Sequence, residues 1–247
     1  MNLRIPEALS ARHSAIGPTS LPGRKQRVRG DAVVRLPAAT LAGVHTEEIA
    51  MNETDVFVLA DHALDHVVSR IADDQWEMAM PASYTRRGET EVPSLRTVIA
   101  YHAYDDAWVP DMLSGRTIDE TGKDKFDGDL LGDDPKAAFS AIVAKACAAA
   151  GEFQDFDRTV HCSFGDFTAR EYLWQTNAFR GMRAWDIAQV IGVDAELPDD
   201  LVQGLWDELS PVADAYRAYG VFPPAVAVSD DAPLLDRLLG MTGRNPR

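Results

Sequence analysis

Apolar residues return at helical spacing along most of the chain from about Glu53 onward. In a first segment reaching about Asp74, Phe57, Ala60, Leu64, Val67, Val68 and Ile71 fall on one side. That is the three-and-four spacing of a helix with one buried face. A second segment runs from about Pro93 to Leu113, with proline in its first turn and Gly115 just past its end, a start-and-stop pattern that fits helical geometry. The third opens at DDPKAAF, where an aspartate precedes Pro135, and closes at Gly151. The fourth begins at Thr168, whose T-x-x-E relation to Glu171 is a capping box, and ends at Gly192. A fifth follows LPDD, carries Pro211 as a kink and stops at Gly220. Between the third and fourth, TVHCSF alternates weakly and reads as a short extended segment. The pattern predicts an all-α chain, an up-and-down four-helix bundle with an extra C-terminal helix and tail. In that tail Leu234, Leu235, Leu238 and Leu239 form a short amphipathic run able to pack across the bundle.

Two of these stripes are interrupted by charge. In NAFRGMRAWDIAQVIG, Arg183 and Asp186 fall on the stripe that holds Tyr172, Phe179, Met182, Ile187 and Val190. In the second segment His102 sits among Leu95, Val98, Ile99, Val109 and Leu113, with Asp106 four residues on along the same stripe. Buried charge is costly unless paired, so the two helices are expected to face these four groups toward one interior pocket. Such a cluster is either a functional site or a structural ion-pair network that fixes helix register. His62 and His66 stand four apart, a spacing that can serve one metal ion. They share a face with Asp55, Asp65, Ser69 and Asp73, however, opposite the apolar stripe, which reads as a solvated surface.

The hydrophobic fraction of 46% and the length allow a real core. The net charge of −15 works against a broad nucleic-acid or anionic-membrane surface. Small molecules or protein surfaces are the expected partners, a homodimer included. Charge also divides the chain. Residues 1–50 carry seven Lys and Arg against four Asp and Glu and no sustained period, so they read as a disordered leader, as residues translated from an upstream start, or as a basic arm. Residues 51–247 are the expected folded domain. Cys147 and Cys162 have neither metal-type spacing nor the number of a disulfide framework. Cys162 directly follows His161, and neighbours in an extended segment point to opposite faces, so it is a poor nucleophile candidate. No apolar run reaches membrane-spanning length and no secretory h-region is visible, which makes the cytoplasm the expected location. Phosphate-loop, nucleophile-elbow and paired-CxxC motifs are missing from the sequence.

The patterns VIAYHAYDDAW in the second helix, RAWDIAQVIG in the fourth and DAPLLDRLLGMTGRNP in the tail resemble the actinobacterial branch of the DinB/YfiT-like superfamily. That branch includes the N-terminal domain of mycothiol-dependent maleylpyruvate isomerase. The resemblance spans roughly Met51 to the C-terminus. It implies a four-helix bundle with a divalent metal, zinc or nickel, held in the core by three ligands among which histidines are prominent, and thiol-cofactor chemistry with a cofactor such as mycothiol. His102 matches a family ligand. The histidine of the fourth-helix H-x-W-D signature is Arg183 here, and the ligand position one turn earlier is Phe179. Arginine stays protonated and cannot donate an electron pair to a metal; Asp106 or Asp186 would have to join His102. Arg183 is instead expected to take over the cationic role of the metal, neutralised by Asp186 and Asp106, with Arg183 and Asp186 as the candidate catalytic pair. Two classes follow: a thiol-dependent transferase or isomerase acting on a small electrophile, or a non-catalytic small-molecule-binding or dimerising bundle whose polar cluster sets helix register.

Overall fold

The structure, a computed structural model, describes residues 51–84, 90–163, 165–218 and 220–246. The expectation about residues 1–50 lies outside them. Eight α-helices and one two-stranded hairpin make up the regular structure of the described residues, an all-α class. No helix among them is long and apolar enough to cross a membrane.

Helix α1 (Glu53–Ser69) starts at Asn52, whose side chain accepts from the amides of Thr54 and Asp55 while Asp55 returns a bond to the Asn52 amide. It ends short of Asp74 because Arg70 and Ile71 tighten into three-residue turns on Val67 and Val68. Ile71 nevertheless stays fully buried, so the apolar period outlasts the helix. Helix α2 (Leu95–Leu113) begins after Ser94, not at Pro93, since the Ser94 hydroxyl accepts from the Thr97 amide and the Pro93 carbonyl is taken by Met80. A single turn, α3 (Ile118–Thr121), follows, closed by a Thr117–Glu120 capping box that the apolar period could not reveal. Helix α4 (Pro135–Gly151) has the expected aspartate cap, Asp134.

The TVHCSF segment becomes β1 (Thr159–Cys162), paired antiparallel with β2 (Gly165–Thr168). Thr168 then caps α5 (Ala169–Ile191) through the expected box with Glu171, and Gly192 ends it at φ 74°. The fifth segment is two helices, α6 (Asp199–Leu209) and α7 (Ala213–Ala218), so Pro211 breaks the helix where a kink was expected. A proline both lacks a donor and disfavours helical backbone before it. The leucine run forms α8 (Leu234–Met241), which packs on α6.

Helix α5 is the axis of the molecule. It packs along α1 and is crossed by α6, while α4 lies against both α1 and α2. The α6 contact is close because a Cβ at Gly181 would stand 2.6 Å from Leu205 Cδ1, and one at Gly204 would stand 2.7 Å from Val56 Cγ2. Glycine lets these backbones approach. Along most of their lengths α2 and α5 stay further apart. Long polar side chains from both span that interval.

Candidate functional site

Three arginines, three aspartates, a histidine and a tyrosine form successive layers along α5. Deepest is Arg180, 1% exposed, which meets two fully buried aspartates. Its Nε donates to Asp106 Oδ1 of α2 at 2.6 Å, and Nη2 donates to the same oxygen. Nε also lies 2.6 Å from Asp61 Oδ1 of α1. One guanidinium therefore serves two carboxylates. On its other oxygen Asp61 takes the Cys147 thiol of α4 at 4.0 Å. Burial raises the Asp61 carboxyl to about 7, against the opposing charge of Arg180. The Arg180 guanidinium also lies over the Phe57 ring at 5.1 Å.

One turn on, Arg183 donates from Nε to His102 Nε2 at 3.2 Å. Its guanidinium stacks over Tyr84 at 4.3 Å and Phe179 at 4.7 Å, an arrangement favourable to a cation on aromatic faces. Burial first, then the charges of Arg183 and Arg180, hold His102 well below its ordinary range. It is neutral at physiological pH. No carboxylate among the described residues forms an ion pair with Arg183.

In the outer layer Asp186 receives Nε and Nη2 of Arg244, each at 2.8 Å, and the Tyr84 hydroxyl at 2.7 Å. Burial pushes this carboxyl up, but the charge and hydrogen bonds of Arg244, helped by the charge of Arg183, hold it below the usual carboxylate range. Tyr84 separates two openings. A small cavity of about 80 Å³ lies toward Val98, His102, Phe179 and Arg183. A broader cleft of about 520 Å³ lies toward Trp185, Asp186, Gln189 and Arg244.

The structure brings His102 and Arg183 together as expected and corrects their neutralisation. Asp186 belongs to Arg244 and Asp106 to Arg180; Asp186 acts on Arg183 only at longer range. The reason is reach, since a bidentate arginine from the tail and one from the preceding turn of α5 occupy both carboxylates. Arg180, Asp61, Tyr84 and Arg244 were not legible as site residues. His62 and His66 are exposed as anticipated, His66 lying 3.6 Å from Glu196. Cys162 is no nucleophile either, since burial and the nearby aspartates push its thiol up to about 12.

The donor set does not suit the divalent metal that the resemblance implies. No group of three His, Cys, Asp or Glu side chains among the described residues can hold a metal ion. His102 Nε2 and Asp106 Oδ1 are both occupied by guanidinium N–H groups. A cation there would meet two fixed positive charges in a low-dielectric interior.

The pairing ranks two substitutions. Asp186→Ala leaves buried Arg244 and the Tyr84 hydroxyl without their acceptor and is expected to cost about 2–3 kcal/mol. Arg183→Met keeps most of the volume and is expected to cost less than about 1 kcal/mol, or to stabilise. Urea unfolding of both variants checks the order; equal losses would show that Asp186 also neutralises Arg183 directly. Comparison with protein-family models, with curated proteins and with solved structures finds no match for this chain.

Proposed function

We propose that this chain is a DinB-like bundle of the maleylpyruvate-isomerase-like kind, with α1, α2, α4 and α5 as its four up-and-down helices. It acts on a small electrophile with a thiol cofactor such as mycothiol, in the cytoplasm. Arg183 supplies the positive charge that a zinc or nickel ion supplies in the family. The observation that carries this reading is a buried guanidinium, in no ion pair with a carboxylate among the described residues, beside a small cavity. Preorganised positive charge in a desolvated site stabilises negative charge that develops on a carbonyl or enolate oxygen.

The chain's own thiols support an external sulfur. Burial pushes both Cys147 and Cys162 far above the range of a reactive thiolate. The cofactor, when bound, supplies the nucleophilic thiol. Arg183 orients the electrophile, His102 holds the Arg183 side chain through its Nε2, and the aromatic faces of Tyr84 and Phe179 exclude water from the cation.

A second reading, a non-catalytic binding bundle, is favoured by the acids. Asp61 and Asp106 are tied to Arg180, and Asp186 to Arg244 and Tyr84, so none of these three buried acids is poised to carry a proton. A turnover assay separates the two. EDTA-treated protein incubated with mycothiol and a cis-unsaturated keto acid is expected to isomerise it, with Arg183→Met at least about 100-fold slower, the scale of losing one preorganised charge. Binding of the acid without turnover would select the non-catalytic reading. Turnover only after zinc or nickel is restored would overturn the role given to Arg183.

A further inference from the structure

Helical spacing puts Trp185 beside Gln189 and Asp186 beside Val190, each pair four residues apart, on one side of the last two turns of α5. The short turn Ala82–Tyr84 and the tail at Arg244 and Asn245 meet that side, and the three segments wall the cleft of about 520 Å³. One part of the lining is closed on itself. Arg244, 5% exposed, gives both Nε and Nη2 to Asp186, and Tyr84 gives its hydroxyl to the same carboxylate. These two charges cancel, and no other lining residue carries one. The rest of the lining is open. Trp185 is half-buried while Ser83 and Gln189 are exposed, and the side chains of these three hydrogen-bond to no described residue.

We infer that this cleft binds a neutral pyranoside, which stacks one face of its ring on the Trp185 indole and bonds through its hydroxyls to Gln189, Ser83 and Asp186. Charge selects first. A lining whose charges cancel holds no net attraction for an ion, and the chain's net charge of −15 repels anions at long range. Hydrogen-bonding capacity selects next. The Gln189 amide and the Ser83 hydroxyl each donate and accept, the Trp185 indole only donates, and the ionised Asp186 only accepts. A carboxylate has about four lone-pair sites, so Asp186, with three bonds in place, accepts one more. A ligand that meets all four residues needs groups that give and take together, and a hydroxyl does both. A planar heterocycle would stack equally well, but its ring-edge atoms have fixed roles as donor or acceptor. Apolar surface selects last. Trp185 offers a flat face flanked by Val190 and Pro81, which the C–H side of a pyranose ring matches. The volume falls within the roughly 300–1,000 Å³ of small-molecule sites, room for a mono- or disaccharide. The inference stands apart from the chemistry proposed at Arg183, which lies across Tyr84 from this cleft.

The test uses the full chain and saturation-transfer NMR with methyl pyranosides of gluco, galacto, manno and N-acetylglucosamine configuration, and with adenosine as the heterocyclic rival. At least one pyranoside is expected to receive saturation, strongest on the ring protons of one face. In wild-type protein with ¹⁵N-labelled tryptophan, the Trp185 indole signal, assigned through Trp185→Phe, should move saturably with that pyranoside. Trp185→Ala is expected to weaken binding at least about tenfold and Gln189→Ala about threefold. Gln189 is exposed, so its variant tests the site without disturbing the core. Saturation of adenosine alone, saturation of no probe, a Trp185 signal that stays still while a pyranoside binds, or undiminished affinity in both variants would overturn the site. The wild-type spectra decide the matter even where Trp185→Ala fails to fold. Turnover plays no part in these measurements, so their failure leaves the reading of Arg183 standing, and loss of that reading leaves the cleft's assignment standing.

Discussion

Arg180→Met is expected to destabilise the protein by about 3–5 kcal/mol at pH 7.5, the scale for removing one partner from a buried ionic group. Asp61 and Asp106 are fully buried and meet at this single guanidinium. Without it, two like charges share an interior that solvates neither. The loss should shrink as pH falls to about 5, because the carboxyls can then take protons and cease to repel. Urea unfolding at the two pH values checks this. A deficit that is the same at both would mean that lost packing on Phe57, and not uncompensated charge, sets the cost.

Asp61→Asn is expected to act in the opposite sense above neutrality. In the folded protein the Asp61 carboxyl titrates at about 7, whereas its ordinary value is 3.8. Between these limits the folded state binds more protons than the unfolded state, so stability falls as pH rises. The stabilisation is full below about 4 and gone once pH has passed about 7, a span on the order of 4 kcal/mol. The charged neighbours are Arg180 from α5, Asp65 from α1 itself and, across Arg180, Asp106 from α2; the Cys147 thiol faces it from α4. Asparagine leaves Arg180 and Asp106 as a one-to-one pair. The variant should therefore lose this slope and exceed the wild type in stability at pH 8. Parallel pH profiles for the two proteins would refute a shared-cation account of Asp61.

How far these residues were legible depends on how each element is buried. His102 and Asp106 stood out because α2 buries one clear stripe, and Arg183 and Asp186 because a stripe was assumed for α5. That assumption hid Arg180. Helix α5 is covered from several sides, by α1, α6 and the side chains of α2, and its buried residues include Asn177, Ala178, Arg180, Gly181, Met182, Arg183 and Ala184. A helix surrounded in this way has no single apolar face for periodicity to report. Asp61 carried the same signal as His102, four after Phe57 and three before Leu64, but the apolar neighbours alone defined the face. Arg244 was beyond any periodic argument. It sits past the end of α8, and only the three-dimensional course of the tail brings it to Asp186. The helix caps were readable because a cap is local chemistry. The hairpin's second strand was not, since four residues beside a capping box leave little alternation to detect.

The cation that joins Asp61 and Asp106 comes late in the chain. Asp106 precedes Arg180 by 74 residues and Asp186 precedes Arg244 by 58. At roughly 5–20 residues per second, a ribosome leaves Asp106 without its arginine for several seconds. During that interval α1 and α2 cannot close on one another without confining two bare carboxylates, so the electrostatics oppose premature collapse of the N-terminal helices. Arrival of α5 removes the opposition, and assembly of the helices is thereby timed to the emergence of its central arginine.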